Sequence, residues 1–170
     1  MSDPDFIYKF VFLGDSGVGK TSLVQRYVYD SLDPDVGRTI GAILHVKTIT
    51  LDDDNYKLIL WDLAGQESFK QMREQYCANA TGAFFVFDRS RPETLGGIDG
   101  WLEPLYSSAG KIPVVVIENK IDLDPVFKEE DVKREIDARN LDLIQTSATE
   151  NVNVNQAFEA LTKSIRARKS

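Results

Sequence analysis

At 170 residues, with 42% hydrophobic and 28% charged side chains, the chain suits one globular domain burying roughly 70% of its unfolded surface. No apolar stretch approaches the ~20 residues of a membrane span, and no secretory leader precedes the first apolar run. A net charge of −7 argues against general nucleic-acid binding. One cysteine and one histidine exclude an internal disulfide and a Cys/His zinc set, and suit a reducing cytosol.

The first apolar run, residues 6–13, reads as a strand. It leads directly into Gly14-Asp15-Ser16-Gly17-Val18-Gly19-Lys20-Thr21, a phosphate-binding loop of the form GxxxxGK[ST]. A helical pattern over residues 20–29 follows, so the motif has the strand–loop–helix setting it needs. Glycines let the backbone aim its N–H groups inward around phosphate oxygens, at the positive end of the helix. Lys20 reaches the outer phosphates and the Thr21 hydroxyl coordinates magnesium in such loops. A glycine-rich turn that binds nothing is the alternative for the motif taken alone.

A polar, turn-rich stretch over residues 31–38 ends in Thr39-Ile40-Gly41, where Thr39 is suited to close over a terminal phosphate and its metal. Strands are expected over residues 40–51 and 56–62, joined by the hairpin signal Asp52-Asp53-Asp54-Asn55. His45 lies in an alternating segment and reads as an ordinary strand residue. The third strand ends in Asp62-Leu63-Ala64-Gly65-Gln66: an aspartate able to hold magnesium, a glycine N–H for a terminal phosphate, and an amide able to orient water. A plain surface turn is the competing reading.

A helix is expected over residues 69–79, a strand over 82–88, and a helix over 92–106 whose start is weakened by Gly96, Gly97 and Gly100. The strand over 112–118 leads into Asn119-Lys120-Ile121-Asp122. A carboxylate there can accept from guanine N1–H and its exocyclic amine, a donor pair adenine lacks. Asn119 can tie this loop to the phosphate loop, and the Lys120 stem can lie across the base. A helix over 129–140, a strand over 142–146 and a helix over 153–168 complete the chain. Ser147-Ala148 after the last strand offers a small residue where a backbone N–H can approach the guanine carbonyl. The runs at residues 84–87 and 114–117 are apolar on both strand faces, as in a parallel sheet covered by helices. Strand–helix alternation then gives a doubly wound α/β domain with its ligand at the strand carboxyl ends.

Taken together, these motifs resemble the Ras superfamily of small GTPases, over essentially the whole chain and most like a Rab. The pointers are residues 14–27, 39–41, 57–62 and 76–88. The resemblance implies a P-loop NTPase α/β fold, in three layers, with a six-stranded, mostly parallel sheet and five helices, forming one G domain over residues 1–170. It implies GTP or GDP bound with Mg2+ by Asp15, Ser16, Gly17, Val18, Gly19, Lys20, Thr21, Ser22, Leu32, Thr39, Gly65, Asn119, Lys120, Asp122, Ser147 and Ala148. Metal contacts fall to Thr21, Thr39 and Asp62, and hydrolysis to Gln66, Lys20 and Thr39. Exchange factors, activating proteins and effectors are expected on residues 32–41 and 64–76, and the protein is expected to be a monomer.

Some positions depart from the family pattern. Leu32 stands where an aromatic ring commonly meets guanine, which implies faster nucleotide release. Leu63 and Thr149 replace a usual threonine and lysine, and Ala42-Ile43-Leu44 lacks the usual Rab triplet, which puts standard Rab effectors in doubt. Arg38, beside Thr39, reads either as a built-in arginine for hydrolysis or as a solvent-facing side chain. The basic residues Lys163, Arg166, Arg168 and Lys169 read as cations complementing a helix end or as a membrane-attracting tail. No cysteine near the C-terminus offers a lipid acceptor. The expectation is therefore a cytoplasmic protein, peripheral to membrane only if its native C-terminus extends further. A non-hydrolysing GTP-binding scaffold and an ATP-using phosphotransferase are the rivals; Gln66 with Thr39 opposes the first, and Asp122 the second.

Overall fold

The computed structural model describes residues 3–32, 39, 41–65 and 70–168. Among them are six strands, β1 (Phe6–Leu13), β2 (Ala42–Leu51), β3 (Asp54–Leu63), β4 (Gly82–Asp88), β5 (Val114–Asn119) and β6 (Asp142–Gln145). They form one sheet in the order β2-β3-β1-β4-β5-β6. Only β2 runs antiparallel to its neighbour. The helical segments are α1 (Lys20–Tyr29), α2 (Lys70–Cys77), α3 (Glu93–Gly96), α4 (Ile98–Ala109), α5 (Glu129–Asp137) and α6 (Val154–Arg168).

Period-two side-chain alternation splits the central strands between two cores. Phe10, Phe12, Phe84, Val86, Val115 and Ile117 point to one face and pack under α1 and α6. Val11, Leu13, Phe85, Phe87, Val114 and Val116 point to the other, beneath α2, α4 and α5. That is why these strands read as unbroken apolar runs. On the first face Phe158 of α6 stacks on Tyr27 of α1 at 3.6 Å between ring centres and meets Phe12 and Phe84 at 5.7 and 5.0 Å.

The expected α/β architecture holds, with boundary corrections that have local causes. The β2–β3 turn shrinks to two residues, Asp52 and Asp53, with φ of 51° and 71°, the mirror-image turn that fits strand twist. Asp54 therefore already pairs with Leu51, and β3 begins earlier than expected. β5 begins after Pro113, which has no N–H to give the ladder. The helix expected over residues 92–106 is split at Gly97 into α3 and α4, where the glycines had weakened the pattern. Asn79, Asn140 and Asn153, all with positive φ, lie outside the helices that had been extended to include them.

Parallel order brings the ends of β1, β3, β4, β5 and β6 to one edge of the sheet. The loops that follow them meet there.

Candidate nucleotide-binding site

The loop between β1 and α1 is held by other loops through its carbonyls. Lys20 Nζ donates to Gly14 O at 2.7 Å and to Asp15 O at 3.0 Å. Arg91 Nη1 donates to Ser16 O at 3.1 Å, Lys120 Nζ to Gly17 O at 2.8 Å, and Asn119 Nδ2 to Val18 O at 2.9 Å. Every carbonyl from residue 14 to 18 is thus engaged by a side chain. The amides of residues 15 to 19, by contrast, donate to no other described residue. Because a trans peptide sets C=O and N–H on opposite sides, pinning the carbonyls on Ser16, Gly17 and Val18 orients the next amides the other way. A row of unpaired amides ahead of a ten-residue helix with no acidic residue in its first turn is an anion cradle.

Gly19 sits at φ 101°, and a β-carbon on it would be driven into the Asn119 side-chain amide. Only glycine lets that strut reach Val18. Asn119 is itself fixed by Thr146, whose hydroxyl donates to Asn119 Oδ1 at 2.9 Å.

Cleft residues expected from the sequence come together here. Ser16, Gly17, Gly19, Lys20, Thr21, Ser22, Thr39, Gly65 and Lys120 line a cleft of about 660 Å³. Burial pulls the Lys20 ammonium down to about 8, against the pull of the Asp62 and Asp15 carboxylates. An anion opposite it would offset that penalty.

At the far wall Thr21 Oγ1 lies 2.8 Å from Thr39 Oγ1 and donates to Asp62 Oδ2, to which Thr39 also donates at 3.3 Å. Asp62 is fully buried, and its Oδ1 has no hydrogen-bond partner. Burial raises its carboxyl above the usual range even though Thr21, Lys20 and Thr39 favour the charged form. One buried carboxylate with an orphan oxygen beside two hydroxyls is a hard-oxygen donor set. It fits a small divalent cation that keeps water and phosphate among its ligands. Among the described residues no three His, Cys, Asp or Glu side chains gather into a metal cluster.

Past Lys120, the residues expected to meet the base are tied to one another and to α1. Ser147 Oγ donates to Asp122 Oδ1 at 2.7 Å, and the Ala148 carbonyl accepts from Arg26 Nε at 2.9 Å. Ser147 and Ala148 are buried, whereas Asp122 is exposed. Lys120 adopts φ 66° and its ammonium also pairs with Asp88 at 2.9 Å. Burial opposes the Asp88 charge, but hydrogen bonds from Ser90 and Lys120 outweigh it and hold that carboxyl below its ordinary value.

Some expected residues sit elsewhere. Val18 is a core side chain, so only its backbone serves the cleft. The Asp15 carboxylate turns away to accept from Trp101 Nε1 at 3.2 Å. Leu32 is half-buried and does not line the cleft. Gln66 and Arg38 lie outside the described residues. Arg91, Trp101, Asp88 and Arg26 were not singled out from the sequence. Their partners are 75 to 122 residues away for Arg91, Trp101 and Arg26, so no local pattern marks them. Trp61 and Tyr76 stand 5.5 Å apart between ring centres, half-buried against the second core.

A cradle of amides without partners among the described residues, with a buried lysine, at the carboxyl edge of a doubly wound sheet, defines a P-loop nucleotide-binding protein. A family model described as "Ras family" matches residues 9–167. The chain therefore belongs to the Ras family of small GTPases: it hydrolyses GTP to GDP and phosphate and acts as a molecular switch. It is 35% identical over 160 residues to human Ras-related protein Rab-22A, covering 92% of this chain and 82% of that one. It is similarly 35% identical to RABA4b of Arabidopsis thaliana, over 95% of this chain and 73% of the relative. The GTP-binding protein YPT1 of Saccharomyces cerevisiae is 34% identical, over 97% of this chain and 82% of its own.

Proposed function

We propose that residues 1–170 act as one G domain in which the amides of residues 15 to 19 hold the nucleotide phosphates, with Lys20 neutralising their charge. The observation that carries this reading is the pairing of every loop carbonyl from 14 to 18 against amides that have no partner among the described residues. Ser22 and the Gly65 amide complete the phosphate contacts. Asp122 reads the guanine N1–H and amine, and Ala148 N–H meets the guanine carbonyl. Asn119, Lys120 and Ser147 hold these groups in place.

Thr21, Thr39 and Asp62 would hold Mg2+, which fits the orphan Asp62 oxygen. When bound, the ion supplies charge neutralisation on the outer phosphate oxygens. For hydrolysis, Gln66 orients the attacking water, and Lys20 with the loop amides stabilises the charge that develops on the transferred group. Gln66→Leu is expected to keep GTP binding and lose most single-turnover hydrolysis; full activity in that variant removes Gln66 from the reaction.

Residues 32–41 and 64–76 carry the regulator- and effector-binding surfaces, with Trp61 and Tyr76 alongside them. The protein acts as a monomer in the cytoplasm and follows its Rab-named relatives in membrane trafficking. Among the described residues no helix is long and apolar enough to cross a membrane, so attachment would be peripheral.

A further inference from the structure

The loop after β4 supplies one strut on the phosphate loop, and that strut belongs to no nucleotide motif. Asp88 steadies Lys120, which holds Gly17 O. Three residues on, Arg91 reaches back 75 positions to hold Ser16 O. Its backbone is tied at both ends. Arg91 N donates to Asp88 O at 3.0 Å, while Arg91 O accepts from the Thr94 hydroxyl at 2.7 Å and from Thr94 N at 3.0 Å. Thr94 is fully buried and its hydroxyl also accepts from Asp88 N at 2.9 Å. Pro92 restricts the next φ. The guanidinium meets the exposed Glu93 carboxylate at 3.3 Å and lies over Gly17, where even an added β-carbon would stand 3.2 Å from Nη1.

We propose that Arg91 is a positioning residue of the nucleotide site: by fixing the Ser16 carbonyl it aims the Gly17 amide of the same peptide unit into the cradle. The inference rests on the assignment of the phosphates to these amides. Ser16–Gly17 is the one peptide of the loop's 16–18 stretch with no motif residue behind it, since Lys120 and Asn119 serve the next two. A glycine at 17 leaves that peptide free to flip, at little conformational cost, unless its carbonyl is held. A guanidinium is suited to the task because its donors sit in a rigid plane and its charge strengthens the bond.

The test is nucleotide release together with the amide spectrum of the GDP-bound protein. Arg91→Ala is expected to speed GDP release about tenfold, the worth of one charge-assisted hydrogen bond. The Gly17 amide proton should move upfield as its bond to phosphate weakens, with Val18 and Gly19 nearly still. Arg91→Lys should recover most of both effects, and Glu93→Gln should change neither. Arg91→Gln, which keeps a shorter donor stem, should fall between Lys and Ala and serves if the alanine variant does not fold. An unchanged release rate and Gly17 resonance, a lysine variant no better than alanine, or equal shifts across residues 17 to 19 would overturn the inference. If the Gly17 amide of the parent chain does not respond to nucleotide at all, it is the phosphate assignment that fails instead.

Discussion

The backbone of Gly65, just past β3, rests on the peptide of Ser16 in the phosphate loop, so closely that a β-carbon on Gly65 would overlap the Ser16 nitrogen and stand 2.6 Å from Gly14 O. Gly65 is thereby seated on the amides proposed to hold the phosphates. Gly65→Ala should displace that backbone without touching the base loop. Single-turnover GTP hydrolysis is expected to fall by about tenfold or more, the effect of losing one positioned donor, while GDP affinity changes far less. Equal losses of hydrolysis and GDP affinity would argue that Gly65 matters only for loop folding.

Trp101 of α4 joins the phosphate loop to α2. Its indole nitrogen donates to Asp15, and its ring lies under the Arg73 guanidinium of α2, 3.7 Å from the ring centre. Trp101→Phe keeps the ring and removes the donor to a carboxylate, which should cost about 1.5–3 kcal/mol. Urea unfolding of the GDP-bound protein measures this, and a midpoint within error of the parent would show that the bond carries no stability.

Arg89 and Glu118 form a largely buried pair at 2.7 Å, and Arg89 Nη1 also donates to Ile121 O in the loop after β5. Glu118→Ala strands the guanidinium and should cost about 3 kcal/mol, toward the lower end for a broken buried pair because Arg89 keeps some solvent contact. GDP release should quicken as residue 121 loosens. Arg89→Met combined with Glu118→Leu should recover most of the stability but not the slow release, a split readable by pairing urea denaturation with nucleotide off-rates.

Phe158 lies in the first core, stacked on Tyr27 and beside Phe12 and Phe84. Phe158→Ala is expected to destabilise by about 3–5 kcal/mol. The only cysteine, Cys77, lies in the second core, where burial pushes its thiol up to about 11. In the parent it should react slowly with disulfide reagents at pH 8, because the thiolate needed for attack is both scarce and covered. Prompt stoichiometric labelling of folded protein would contradict that placement.

The strands and the nucleotide motifs were legible because their signals are local: two-faced apolar runs, a glycine spacing, an aspartate at a strand end. The weak start of the helix expected over residues 92–106 was visible for the same reason, but not its division at Gly97. The two-residue turn at Asp52-Asp53 was misjudged in length because aspartate tolerates positive φ and leaves the count to the pairing of Leu51 with Asp54. Struts such as Arg91 on Ser16, Trp101 on Asp15 and Arg26 on Ala148 could not be read, since each is made only when distant loops meet. The same holds for the orphan oxygen of Asp62, whose isolation is a property of burial rather than of spacing.

The most direct measurement is a competition of GTP, ITP and ATP for nucleotide-stripped protein, run in parallel on the parent and on Asp122→Ala. The parent should prefer GTP over ITP by at least about tenfold, the worth of the exocyclic amine's hydrogen bond to a carboxylate, and over ATP by far more. Asp122→Ala should erase the GTP–ITP difference. Equal affinity of the parent for the three nucleotides would contradict a cradle that holds phosphate by its amides and chooses guanine by one carboxylate.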